Sequence, residues 1–204
     1  VEGQGERVGL VYIGFRDQDL QTHGLSEALG ADPALVLTGG HNHAGSEANP
    51  LDLDALAAWL DTELGVSGFA VASQFASRNP GHELAAAEMI RTKTSRPVSL
   101  SHHLSAKLNG PKRALTAVLN ARLLGMLARL INRAESKLRD LGINAPLMVV
   151  RGDGALISAD QARERPIETI LSGPAASIVG ARWMTKADHA LVSDIGLAAI
   201  VRFS

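Results

Sequence analysis

VVRGDGALISADQARERPIETILSGPAASIVGA, residues Val149 to Ala181, shows in one passage how this chain is built. A β-branched run through Val149 and Val150 ends on a turn of Gly152, Asp153 and Gly154. Ser158 caps a short acidic, alanine-rich helix that Pro166 ends, and the turn Ser172-Gly173-Pro174 opens a further helix from about Ala175 to Met184. Short β-rich runs alternating with longer helical ones predict an α/β protein whose strands are buried by crossover helices.

Outward from this passage the alternation continues. Upstream strands are predicted at Arg7 to Ile13, Ala34 to Thr38, Gly68 to Ser73 and Pro97 to Ser101, with another from Pro146 to Arg151. Asp19 to Leu29 reads as a short helix. Asp52 to Leu64 reads as an amphipathic helix with Leu53, Leu56, Ala57, Leu60 and Leu64 on one face. Asn79 as N-cap, Pro80 at the first helical position and Glu83 in the first turn predict a helix from Pro80 to about Lys93. Lys112 to Leu141 is the longest element, its stripe Leu115, Leu119, Leu123, Met126, Leu130, Ala134 and Leu138 fixing its period and Gly142 its stop. Ala190 to Ile195 is the last clear strand. The long helix is the natural divide: 1–111 as the later part of one α/β lobe, 112–145 as a connecting helix, 146–204 as the start of a second lobe.

Composition narrows the partners. Lys plus Arg number 20 against 21 Asp plus Glu, a net charge of -1 with no dense basic run, which argues against nucleic acid. The absence of cysteine excludes disulfides, a thiol nucleophile and thiolate zinc sites. No apolar stretch is read as approaching the roughly 20 residues that span a bilayer, and the start lacks the order of a signal peptide, so no membrane and a cytoplasmic location are expected.

Three places can carry chemistry. In TILSGPAASIVGA, Thr169 to Ala181, small residues and a helix start after a Ser-Gly-Pro turn suit a phosphate, and equally suit tight packing on a sheet. Asp153 sits between two glycines at the end of a strand, where open sheets bind ligands, although Asp-Gly is also the strongest short hairpin signal. His41 and His43 lie two apart in the loop Gly39 to Pro50, where imidazoles can share a divalent metal with Glu47 or simply be solvated. His82 reads as a surface residue of its helix, His102 and His103 form a further pair, and no Gly-x-Ser-x-Gly elbow supports a serine hydrolase.

The passage from Val149 to Ala181 resembles the central signature of the hydantoinase A and 5-oxoprolinase family. SHHLSAKLNGPKRALTAVLNARL at Ser101 to Leu123 resembles the segment that precedes it, RNPGHELAAAEMI resembles the family's helix start, and GFRDQDL with LTGGHNHAGSEANPLD resembles a branch with a Gly-Gly-His loop. The resemblance implies a ribonuclease H-like, actin-like ATPase fold, here partial, and an enzyme that uses ATP and Mg to open cyclic amides such as hydantoins or 5-oxoproline. It implies a partner subunit or domain of the hydantoinase B type, and it leaves a homo-oligomer open. Relatives use the same machinery to carboxylate ketones. By the same resemblance Asp194, Ile195 and Gly196 begin a phosphate loop, Asp194 holding a metal-bound water and Gly196 a phosphate. Asp153, Ser172, Gly173, Pro174 and Ala175 would face the nucleotide.

The sequence departs from that pattern in two places. Nothing before Arg7 supplies the family's first phosphate loop, and Leu197 to Val201 stand where the family has Gly-Thr-Thr-Thr-Asp. The chain is therefore expected to be an internal piece that does not bind ATP tightly alone. The competing expectation is a non-catalytic lobe or scaffold that contacts a partner subunit without handling nucleotide.

Overall fold

The computed structural model describes residues 5–186, 189–194 and 199–203. The chain divides into two compact units, 1–126 and 127–204, with the boundary inside one long helix.

The first unit is built on four parallel strands: β1 (Val8–Ile13), β2 (Ala34–Leu37), β3 (Gly68–Ser73) and β4 (Val98–Leu100), in the order β2-β1-β3-β4. Every residue of β1 and β3 is buried, as expected of central strands covered on both faces. The period-2 alternation sorts their side chains. Val8, Leu10 and Tyr12 share one face with Ala70 and Ala72, under α1 (Leu25–Leu29) and the first half of α5 (Gly110–Asp140). Val11 and Ile13 share the other with Phe69 and Val71, under α2 (Leu53–Leu60) and α3 (Gly81–Thr94). Gly9 pairs in register with Phe69, and a Cβ there would lie 2.8 Å from the Phe69 ring, so this glycine makes the space in which the ring lies.

The face of α5 that packs on the sheet differs from the leucine stripe expected of it. Ala114, Ala117, Val118 and Ala121 are buried, whereas Met126 and Leu130 are exposed. Leu123 and Leu124 are buried with the alanines, so the buried face mixes small and large side chains. By length and composition α5 could also cross a membrane, contrary to the reading that no apolar stretch approaches that length. Its first half, however, supplies core residues of the first unit. The helix expected at Asp19 to Leu29 is two pieces, a 3-10 turn at Asp17–Gln21 and α1, because His23 and Gly24 adopt positive φ between them.

The second unit contains the rest of α5, the antiparallel hairpin β5 (Met148–Val150) and β6 (Leu156–Ser158), α6 (Ala159–Glu164), α7 (Ser172–Thr185) and the antiparallel pair β7 (Ala190–Asp194) and β8 (Ala199–Phe203). Ser158 caps α6 by accepting from the Gln161 N–H, while Gln161 reaches back to the Ser158 N–H, the reciprocal box its sequence announces. Ile131, Ile157, Ala159 and Ala162 form a small core, flanked by Arg163, which donates to Glu135 at 2.6 Å and to Asn132 at 2.9 Å.

Candidate functional site

The strand order places a topological switch at β1 and β3. α1 covers one face of the sheet and α2 and α3 the other, so the connections leave these two neighbours in opposite directions, and the crevice beyond their carboxyl ends is where such sheets hold ligands. Glycines shape it. Gly14 has φ +77°, and a Cβ there would lie 2.8 Å from the Gly39 carbonyl oxygen, so the segments leaving β1 and β2 touch backbone to backbone. Phe75 holds a positive φ of 55° just after β3. Phe15, Arg16, Gln74, Phe75 and Pro111 line a cleft of about 290 Å³. Tyr12 stacks on Phe15 at 4.0 Å with its hydroxyl buried and without a hydrogen-bond partner among the described residues, and burial, aided by Asp19, pushes that hydroxyl's pKa up.

The same sheet edge carries a buried polar network centred on Glu83. Asn79 accepts from the Gly81 N–H, and the helix it starts turns its first residues toward the strand ends, leaving Glu83 fully buried. Its Oε1 accepts from the Ser73 N–H at 2.8 Å and the Ser101 hydroxyl at 2.5 Å. Its Oε2 accepts from the His102 N–H at 3.1 Å and meets His102 Nδ1 at 2.6 Å. His102 belongs to the short α4 (Ser101–Leu104) directly after β4. Arg113 enters from α5, donating to the Ser73 carbonyl at 2.7 Å, the Lys107 carbonyl at 2.9 Å and the Ser101 hydroxyl at 3.3 Å. Burial pulls the Arg113 pKa down from its ordinary value and the charge of Glu83 opposes this, so the two ions compensate each other inside the protein.

His82 is buried, which overturns its reading as a surface residue. The Gly40 N–H donates to its Nδ1 at 2.9 Å, which fixes the hydrogen on Nε2, and that nitrogen faces Glu47 Oε1 at 2.9 Å. His82 thus pins the Gly39 to Pro50 loop to α3. His41 is buried beside it, the two rings 4.4 Å apart, with Nδ1 unpartnered, whereas His43 is exposed. Among the described residues no three His, Asp or Glu side chains converge as a metal site.

Desolvation holds the His41 pKa below the usual histidine range, with His82 adding to the effect. In the unfolded chain this group titrates near about 6.5. Between that pH and the lower folded value only the unfolded chain takes the proton, so the contribution is fully present above about pH 6.5 and is lost as pH falls below it. The urea midpoint should therefore drop between pH 7.5 and pH 5.5, and His41→Leu should flatten that dependence. An unchanged slope in the variant would assign it to another group.

In the second unit Asp153 occupies the β5–β6 hairpin turn, exposed, paired with Arg151 and accepting from the Ala155 N–H at 3.1 Å. The Arg151 hydrogen bond lowers its pKa to about 2, so it is a carboxylate at any working pH. The turn lies against the region that starts α7: the Gly152 N–H donates to the Glu168 carbonyl at 2.8 Å, and a Cβ on Gly154 would lie 2.8 Å from Val179. The fold therefore brings Asp153 and Ser172 to Ala175 into one neighbourhood. α7 begins at Ser172, earlier than expected, after Leu171 at φ 63° and with no side-chain cap. Asp194 ends β7, its backbone paired with Ala199. Gly196 lies outside the described residues.

Sequence reasoning missed Glu83, His102, Arg113, Ser73 and Ser101 as one constellation. The available signals were a His-Glu pair in the first turn of a helix, a Ser-His-His run at a strand end, and an arginine on the alanine-rich face of a long helix.

Comparison with known proteins gives these residues a setting. The description of the hydantoinase/oxoprolinase family matches residues 113–197, and that of its N-terminal region matches residues 1–94. The alpha subunit of caprolactamase from Pseudomonas jessenii is 32% identical over 136 residues, 65% of this chain and 20% of that protein. The gamma subunit of acetophenone carboxylase from Aromatoleum aromaticum is 26% identical over 164 residues, 75% of this chain and 22% of that protein. The chain thus spans about a fifth of the length of these relatives. Among solved structures, the ATP-dependent caprolactamase of Pseudomonas jessenii superposes with a TM-score of 0.75 at 27% identity, covering 92% of this chain and 30% of that one. A nucleotide-free acetone carboxylase superposes at 0.73 with 18% identity, covering 94% and 31%, which shows the fold alone. The fold is that of hydantoinase-type, actin-like ATPase chains.

Proposed function

This chain belongs to the hydantoinase/oxoprolinase family, and from that premise we propose that the whole protein uses ATP to open a cyclic amide. The observation that carries the reading is the superposition of 92% of the chain on an ATP-dependent caprolactamase at 27% identity, across both units in order. ATP supplies the phosphorylation of the amide oxygen that makes the ring carbon open to water.

The residues present fit such a nucleotide in their donor chemistry. With Leu171 at positive φ and no side-chain cap, α7 starts with the Ser172 and Gly173 N–H groups available to phosphate oxygens, while Pro174 contributes shape and no donor. Ala175 donates to the Leu171 carbonyl and closes that turn. Asp153 stays ionised beside it and would face the nucleotide, whereas Asp194 would hold the metal-bound water. In this reading Asp194 and Gly196 open the phosphate loop on the Mg side, and a hydantoinase B-type subunit completes the enzyme.

The test is the full-length protein, with any subunit that co-purifies, given ATP, Mg and a panel of lactams and hydantoins. Ring opening matched by ADP release is expected. ADP release that requires a ketone and bicarbonate would favour instead the carboxylase reading, which the 26% identity to an acetophenone carboxylase subunit motivates. The absence of both activities, with both substrate classes, overturns the proposal.

A further inference from the structure

Three buried or half-buried histidines lie at the carboxyl edge of the first unit's sheet, and their surroundings differ in a way that separates structure from chemistry. His82 uses both ring nitrogens, one on the Gly40 N–H and one toward Glu47, and so serves as a pin. His41 is shut inside, with desolvation opposing its charge. His102 has a fixed Nδ1, 2.6 Å from a fully buried carboxylate, on a side chain that keeps 14% of its surface exposed, and among the described residues its Nε2 has no hydrogen-bond partner.

Glu83 can only accept from His102. Its other partners, the Ser73 N–H, the Ser101 hydroxyl and the His102 N–H, are all donors to an ionised carboxylate, so the hydrogen of the neutral ring lies on Nδ1. The lone pair is then on Nε2. A carboxylate behind an imidazole fixes the tautomer and ring orientation and offsets the charge that forms when the far nitrogen takes a proton. The groups facing this pair are Glu83 from α3, Ser73 from β3, Ser101 and His103 from α4, the His103 ring edge-on at 4.2 Å, and Arg113 from α5 through the Ser101 hydroxyl. A purely structural role needs one donor at the Nδ1 position, which an asparagine amide would supply. It does not need a second nitrogen left without a partner.

We propose that His102 Nε2 is a catalytic proton acceptor for a small amide bound at the carboxyl edge of the first unit's sheet, with Glu83 as its positioning residue. The assignment rests on the cyclic-amide reading above. As the oxygen of the attacking water bonds to the amide carbon, one of its protons passes to His102 Nε2. As the carbon–nitrogen bond breaks, that proton passes on to the departing ring nitrogen and the imidazole returns to its neutral form; the phosphorylated oxygen stays on the carbon as an acyl phosphate, which a second water hydrolyses to the carboxylate and inorganic phosphate. Glu83 stays ionised throughout.

His102→Asn tests this in the full-length protein, because its amide can still donate to Glu83 Oε2 while nothing replaces Nε2. Expected are a fall in kcat of about 10²- to 10⁴-fold, a KM changed by less than about threefold, an unaltered urea midpoint, and loss of the acid-side limb of the pH–rate profile. Wild-type kcat in this variant would overturn the proposal. Ring ¹⁵N NMR of His102 in the present chain provides a readout without turnover: a hydrogen on Nδ1 is expected, and one on Nε2 would overturn it. If the full-length wild type opens no cyclic amide, the function reading and the reaction assigned to His102 both fall. If it does and His102→Asn is fully active, only the present proposal fails.

Discussion

Glu83→Ala should destabilise the first unit by about 3 to 5 kcal/mol, the cost of removing one partner from a buried, compensated set of charges. The carboxylate is fully buried and accepts from the Ser73 N–H, the Ser101 hydroxyl, the His102 N–H and the His102 ring. Alanine leaves those donors facing a void, and it leaves Arg113, itself 1% exposed, without the nearby negative charge that opposes its desolvation. Domains of this size are stable by only about 5 to 15 kcal/mol, so the variant should sit near the edge of folding. Urea denaturation at pH 7.5 measures it. Glu83→Gln should fall between alanine and the wild type, since its oxygen can still accept from Ser73 and Ser101 while its amide meets the His102 donors head on. A midpoint shift worth less than about 0.5 kcal/mol for Glu83→Ala would mean that the network is not formed in solution.

The second large effect is expected at the other end of β3, on the sheet face that α2 and α3 cover. Phe69 is fully buried, and its ring lies over Gly9, its register partner in β1, and edge-on to Trp59 at a centroid distance of 6.0 Å. Phe69→Ala should cost about 3 to 5 kcal/mol, from lost burial and the cavity left behind. Gly9→Val should cost about 1 to 3 kcal/mol by overpacking, since its Cβ would meet Phe69 at 2.8 Å and Trp59 at 3.0 Å. Because the two positions compete for one space, the double variant should be at least about 1 kcal/mol more stable than the sum of the single changes predicts. Strict additivity would show that valine does not enter the cavity.

The sheet was largely legible in the sequence because its strands are apolar runs closed by turn residues. GFAVAS is a strand over Gly68–Ser73 as read, and Asp153 lies in the hairpin that Asp-Gly signals. The long helix was legible in extent but not in facing. Periodicity marks which residues share a stripe, whereas the face of α5 buried in the first unit's core is Ala114, Ala117, Val118, Ala121 and Leu124, none of them on the expected stripe. The network at the sheet edge was hidden for a different reason. Ser73, Glu83, Ser101 and Arg113 are separated along the chain and meet only once β3, α3, β4 and α5 are assembled, and no local pattern encodes that meeting. His82 illustrates the limit at one residue: the first turn of a helix reads as exposed, yet here it abuts the strand ends and the Gly40 backbone.

The position of β1 also bears on how the chain comes off the ribosome. β1 precedes the strands that flank it and is central in the sheet, and the α5 part of the cover on its Leu10 and Tyr12 face comes later still. At roughly 5 to 20 residues per second, on the order of ten seconds separate the emergence of Ile13 from that of Leu124. Within that interval β2 and β3 become available to pair its edges, but its Leu10 and Tyr12 face lacks the cover that α5 supplies.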